Sequence, residues 1–419
     1  MSWLLRFRLR RFVRRSLWLT PVLALGLVCM VAPLLLRLDR AMGWEWFGFT
    51  PDGARAVLSA FTASMLTLVV FVVSSLLIIV QLASAQLTPR IIAMVFVDRR
   101  LKWVLSIFAF AYGYTIAASG RIEATAPQLP VAFAIFCNLA CIALFFWYAQ
   151  WLGSSMRPIA VLQAVASEGH AVVESVYPDP FEPDEKRPGW SPAPEADVVV
   201  VDQTEKSGVV LAFSLGDLLA LAQRADAVIE LVPQVGDFVA RGDPLFRIRR
   251  GARAIDVAAL RACIATGPER TVEQDPRFAF RIIVDIANKA LSPAINDPTT
   301  AVLALDQIHH LLLEVGKRRL DAGQTRDAQG RLRLCYRTPD WIDFVGLAVT
   351  EIRHFGASSM QVARRLQAMI DHLLKVLPEA RKAALRDELA LLRGSVQRVF
   401  PDEQDRALAQ VGDLQGLGS

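Results

Sequence analysis

The side chains best equipped for chemistry crowd into one stretch, residues 266–308, TGPERTVEQDPRFAFRIIVDIANKALSPAINDPTTAVLALDQI. It carries Glu269, Arg270, Glu273, Gln274, Asp285, Asn288, Lys289, Asn296, Asp297, Thr299 and Thr300, more polar groups than helix capping requires. If the stretch is buried, these residues form a satisfied polar network that locks a loop to two helices. If it is open, the same carboxylates, amides and hydroxyls make an ion or small-ligand site. We read it first as a structural network, with Arg270 tying the loop to a carboxylate such as Asp285 or Asp297. Asp285 and Lys289 stand four apart, a helical ion pair worth about 0.2–0.5 kcal/mol when exposed. A hydrolase built on Asp285 and Asp297 would need a divalent metal.

Other reactive constellations find little support. His170, His309, His310, His354 and His372 have no metal-ligand spacing, and neighbours such as His309 and His310 point about 100° apart on a helix. No Ser or Cys lies in a strand-to-helix nucleophile elbow. Neither a phosphate loop ending in Lys-Ser or Lys-Thr nor a dinucleotide fingerprint occurs. Cys29, Cys137, Cys141, Cys263 and Cys335 suggest neither a zinc site nor a disulfide framework. We expect no enzymatic activity, no cofactor and no bound metal.

A second constellation suits passage rather than reaction. Read in sevens, one seam holds Ala60, Thr67, Ser74, Gln81 and Thr88, and its companion holds Ser64, Phe71, Ile78 and Ala85. A seven-residue repeat keeps one helical stripe facing a partner or an axis. Small hydroxyl residues allow close packing within a subunit. Alternatively, several copies of the helix surround a water-filled path lined by Ser64, Thr67, Ser74 and Gln81. Ionisable residues of the kind that couple pumps to protons are missing from the interiors of the second, third and fourth apolar segments.

The elements that must position these groups divide sharply. Apolar segments at 17–36, 56–82, 103–118 and 129–152 each approach the ~20 residues that cross a bilayer. Basic residues flank the first span (Arg6, Arg8, Arg10, Arg11, Arg14 and Arg15) and the loop before the third (Arg90, Arg99, Arg100 and Lys102). By the positive-inside rule both segments face the cytoplasm, as do both termini. The opposite loops offer interfacial rings such as Trp44 and Trp46. The first segment is too long, and lacks a clean small-residue site, for a cleaved signal. The formal net charge of +5 points to anionic lipid head groups at the N-terminus, not to nucleic acid.

The rest of the chain is mixed in composition. Residues 157–177 continue helically, and Pro178, Pro180, Pro183, Pro188, Pro192 and Pro194 then mark a linker. DVVVVDQ, SGVVLAF, AVIELV and PLFRIRR read as strands, with SLGDLLALAQRA as a helix between the second and third. The run IELVPQVGDFVARGDPLFRI resembles biotinyl-lipoyl-like barrel-sandwich modules, with Gly236-Asp237 and Gly242-Asp243 at its bends. No lysine occurs between Lys206 and Lys289, so the module is read as structural, not as a carrier. Helices are expected from Asp275-Pro276 to about Leu291 and from Asp297-Pro298 to about Val315. The segment KRRLDAGQTRDAQGRLRL reads as a charged exposed loop leading into a short strand, and three amphipathic helices follow from Asp340.

Four spans, AQLTPR after the second, GVV with a GDFV turn, GPERTVEQDP and DIANKALSPAINDPTTA together resemble the bacterial predicted membrane proteins catalogued as domain of unknown function 2254. The resemblance covers nearly the whole chain and implies an inner-membrane protein with a C-terminal soluble domain. It implies no reaction or ligand. The expected fold is a four-span α-helical domain (1–156), a helical extension and linker (157–196), a small β-module (197–253) and a mainly helical cytoplasmic domain (254–419). The expected function is a homo-oligomeric channel with a basic cytoplasmic mouth of Arg90, Arg99 and Arg100. A membrane-anchored sensor or scaffold, whose soluble domain binds a ligand or protein partner near Asn296 and Asp297, is the alternative.

Overall fold

A computed structural model describes residues 2–43, 48–91, 98–155, 157–182, 198–204, 206–249, 251–320 and 323–417. Trp44, Trp46, Pro183, Pro188, Pro192 and Pro194 lie outside the described residues. The chain divides into two compact units, residues 9–157 and residues 1–8 with 158–419. A basic helix, α1 (Trp3–Arg15), precedes the apolar segments.

The first unit is built from four helices long and apolar enough to cross a membrane: α2 (Leu19–Met42), α3 (Pro51–Gln86), α4 (Arg99–Ser119) and α5 (Gln128–Ser155). The shortest and least apolar of them, α4, touches the other three. Half of its apolar window is buried, against 11% for α2. That explains its composition: a helix shielded by its neighbours can carry polar groups that a lipid-facing one cannot. Asn138 of α5 donates to Thr115 of α4 at 2.8 Å with both side chains fully buried. The bond ties the two helices together inside the bundle, and the Thr115 hydroxyl in turn donates to the Ala111 carbonyl one turn back.

Ties at the helix ends fix an alternating arrangement. At one end, Lys102 Nζ donates to the carbonyls of Val13, at 3.2 Å, and Arg14, and the Arg100 guanidinium lies 5.6 Å from the Trp151 ring. At the other end, Leu129 N–H donates to Asp39 Oδ1 at 2.7 Å and Arg55 donates to the Ile122 carbonyl at 2.7 Å. The segment before α2 and the start of α4 therefore share one end of the bundle.

The second unit opens with α6 (Pro158–Val176). Strands β1 (Val198–Asp202), β2 (Gly208–Phe213), β3 (Val228–Leu231), β4 (Phe238–Val239) and β5 (Pro244–Arg249) follow, with α7 (Leu215–Arg224) after β2. Ser214 caps α7 by accepting from Asp217 N–H. Both Gly-Asp bends are the same turn. Asp237 Oδ2 accepts from Gln234 N–H at 2.9 Å, Asp243 Oδ2 from Ala240 N–H at 2.8 Å, and Gly236 and Gly242 sit at φ +94° and +96°. The third turn position demands such a φ, which only glycine adopts without strain.

The β-module reaches further along the chain than the expected 197–253. Its two sheets run β1-β5-β3-β8-β7 and β4-β2-β6. They recruit β6 (Ile264–Gly267), β7 (Gln324–Arg326) and β8 (Leu332–Tyr336), with α8 (Val257–Arg261) leading into β6. β8 pairs parallel to β3, Ile229 opposite Leu334, and a parallel partner requires a long crossover. β8 is the short strand expected after the charged loop, but the loop itself also supplies β7, and Arg333, expected to be exposed, is buried.

Inside that crossover lie α9 (Pro276–Ala290) and α10 (Pro298–Gly316). Asp275 and Asp297 cap them, accepting from the N–H groups of Phe278 and Thr300, and the adjoining proline opens each first turn. Both helices pack on α6. A helical stretch of α11 (Trp341–Val345), a π turn (Gly346–Thr350) and α12 (Glu351–Gly356) then leads to α13 (Met360–Val376), α14 (Glu379–Val399) and α15 (Glu403–Ala409). Phe280 of α9 meets Phe344 of α11 at 5.5 Å between ring centres in this core.

Candidate functional sites

On α3 the buried stripe is Ala54, Leu58, Met65, Val72, Leu76 and Ala83. The polar seam is elsewhere. Thr67, Ser74 and Gln81 each stand two positions from a buried residue, which at 100° per residue places them on the far side of the helix. Ser64, Thr67, Ser74 and Gln81 are all exposed. Packing against the rest of the same subunit therefore does not account for these four, whereas Thr88, the seam's last member, lies past the end of α3 and is buried. Ser64 and Thr67 satisfy their hydroxyls on their own helix, donating to the carbonyls of Ala60 and Ala63. Arg90, Arg99 and Arg100 are also exposed, the last two at the start of α4 and Arg90 in a short turn after α3.

The polar string of the second unit does not form one cluster. It separates into three groups whose geometry replaces the expected pairings. Arg270 meets neither Asp285 nor Asp297. Its Nε donates to Asp275 Oδ2 at 2.5 Å, and its guanidinium lies over the Phe278 ring. A Cβ on Gly236 would fall 2.5 Å from that guanidinium, so the first Gly-Asp turn is the surface on which Arg270 rests. Asp275 is 4% exposed. Burial drives its carboxyl above the usual range, against the pull of Arg270.

In the second group Asp285 pairs with Arg281, one turn earlier, and not with Lys289, which is exposed. Arg281 also forks onto Glu351 of α12 at 2.5 and 2.8 Å, and Asn288 donates to the same carboxylate at 2.6 Å. Those bonds from Glu351, opposed by burial, push the Arg281 guanidinium further into its charged form. In the third group Asp297 accepts from Thr300 N–H and Oγ1 as a helix cap, after Asn296 at φ +49°. Glu269, Asn296 and Thr299 are exposed.

A cleft of about 220 Å³ opens at the Gln274 end of the string. Its walls come from residues 175–177 at the end of α6, Phe213, Leu215, residues 234–235 of the first Gly-Asp turn, residues 274–276, and residues 336–339 after β8. Gln274 fastens one wall: its Oε1 accepts from Phe213 N–H at 3.0 Å and its Nε2 donates to Phe213 O at 3.2 Å. The sequence signal was the Gly-Asp turn beside GPERTVEQDP. The wall supplied by Tyr336 and Arg337 had none.

The adjacent histidines serve different partners. His309 Nε2 lies 2.8 Å from His372 Nδ1, with Arg365 on its other nitrogen, whereas His310 faces His170. Burial first, then the Arg365 charge, pulls the His309 imidazole down to about 4. No group of three or more potential metal ligands occurs among the described residues.

An uncharacterized protein of Mycobacterium bovis and one of Mycobacterium tuberculosis are each 26% identical over 416 residues, covering 95% of this chain and 79% of their own. No solved structure matches. The family described as Predicted membrane protein (DUF2254) matches residues 14–372. This chain, with its four apolar helices and its α+β second unit, belongs to that family of membrane proteins.

Proposed function

We propose that the protein is a homo-oligomeric, channel-like protein of the bacterial inner membrane, with α3 from each subunit lining a shared axis. One observation carries this reading: Ser64, Thr67, Ser74 and Gln81 project from α3 away from its own bundle. A hydroxyl and carboxamide stripe facing hydrocarbon is unfavourable, and closure of several α3 helices round an axis gives it water and partners. Both termini and the second unit then face the cytoplasm, in keeping with the positive-inside bias and with the shared bundle end of Arg14 and Lys102. There the second unit serves as a vestibule, and the arginines of α1 meet anionic head groups. Arg90, Arg99 and Arg100 form a basic mouth that concentrates anions, which favours weak anion selectivity.

Ion flux through protein reconstituted in liposomes tests the reading. Wild type is expected to conduct, and Ser74→Trp to abolish flux while leaving the oligomer intact. A Ser74→Cys variant is expected to cross-link between subunits. Flux unchanged by the tryptophan would refute an α3-lined path. The cleft of the second unit favours a second reading, a membrane-anchored sensor; ligand binding with no conductance would support it.

A further inference from the structure

We propose that the cleft beside Gln274 is a binding site for a small planar carboxylate. The proposal stands apart from conduction, because binding is measured without an ion gradient.

The spare hydrogen-bonding capacity of the cleft is weighted towards donors. Its one buried acid, Asp275, is already engaged: Oδ1 accepts from Phe278 N–H at 3.2 Å and Oδ2 from Arg270 at 2.5 Å. Arg337 contributes a guanidinium that lies 3.9 Å from the Asp237 carboxylate, through an oxygen already taken by Gln234 N–H. With its side chain 62% exposed, Arg337 stands where a ligand can reach it. The Gln234 carboxamide is half-buried in the same wall. Gln274 retains one amide N–H beyond its bond to the Phe213 carbonyl. A guanidinium and two amides lining one cleft suit a carboxylate, which Arg binds bidentately.

The remaining walls select a flat body. Phe213 and Tyr336 lie 5.3 Å apart between ring centres, and Pro276 and Pro339 line the same space. At about 220 Å³ the cleft is below the ~300 Å³ at which drug-sized pockets begin. A single ring bearing one carboxylate matches that size.

The test uses full-length protein in detergent, with 4-fluorobenzoate as probe and its fluorine resonance as readout. Fluorobenzamide, neutral and of similar shape, is the comparator. The probe line is expected to broaden with wild type. Arg337→Gln should weaken binding about ten-fold or more, the worth of a hydrogen-bonded charge. This side chain is exposed, so the fold should tolerate the change. Val235→Trp, which fills the cleft, should abolish binding, whereas Val257→Trp on exposed α8 should leave it unchanged. No broadening with wild type would overturn the proposal. So would equal binding of fluorobenzamide, or binding that survives both Arg337→Gln and Val235→Trp.

Discussion

Gly236 and Gly242 form a natural controlled pair. They occupy the same turn at φ +94° and +96°, and an alanine at either suffers the strain of an L residue in that region, about 1–2 kcal/mol. Only their surroundings differ. The Cβ of alanine at 242 meets nothing within 4 Å, whereas at 236 it falls 2.5 Å from the Arg270 guanidinium. Arg270 must then move off the turn and release Asp275, a carboxylate 4% exposed. Removing one partner of a buried pair costs 3–5 kcal/mol, and the lower end, about 3 kcal/mol, applies here because Arg270 is itself 32% exposed. Gly236→Ala should therefore unfold about 6–12 °C below Gly242→Ala at 2–4 °C per kcal/mol, followed by fluorescence melting of full-length protein in detergent. In an Arg270→Gln background the gap should close, since the released contact is already gone. Equal midpoints for the two alanine variants would show that Arg270 relocates without loss and that the turn does not support it.

Two further outcomes concern pH. Asp327 accepts from the N–H groups of Gln329 and Arg331 and from the side chains of Arg331 and Arg333. Burial works to raise its carboxyl, but those bonds bring it down to about 2. A depressed carboxylate stabilises the fold above its ordinary value near 3.8 and loses that contribution as pH falls towards 2. Asp327→Asn should thus melt below wild type at neutral pH, with the gap narrowing through that acid window; a gap independent of pH would contradict the reasoning. His309, held near 4 against an ordinary 6.5, stays neutral in the fold while the unfolded chain takes up a proton. Its contribution is complete above pH 6.5 and drains away as pH falls towards 4. His309→Gln should flatten the melting profile between those values, and an unchanged slope would assign it to other groups.

Local signals were legible and distant partners were not. Asp275-Pro276 and Asp297-Pro298 announce helix starts because a capping side chain and a proline satisfy the first turn without help from elsewhere in the fold. Likewise the Gly-Asp pairs announce turns. The partner of Arg281, by contrast, is Glu351, seventy residues along the chain, and no spacing rule selects it from the other carboxylates. Arg270 pairs with the cap residue five positions on, whose capping motif points only to its own helix. Periodicity revealed the seam of α3 but not its direction, since two stripes on one helix are equally regular and only the tertiary structure says which is covered. The cleft was hidden for the same reason: Gln274, fastened to Phe213 of β2, and Arg337, which follows β8, line one space although they are distant in the chain.

That pairing sets a timetable for synthesis. β3 pairs with β5 within its own neighbourhood, but its other edge waits for β8, about a hundred residues later in the chain. At about 5–20 residues per second, the nascent protein holds an open strand edge for roughly 5–20 s after β3 emerges, with its four spans already made. An unpaired edge is a template for association with another chain. Glu230 of β3 is answered by Arg247 and Arg249 as soon as β5 is alongside, so the charge on β3 is matched early and the edge towards β8 stays open without it. High contact order of this kind slows folding, so a chain ending before Leu332 would keep its edge open permanently.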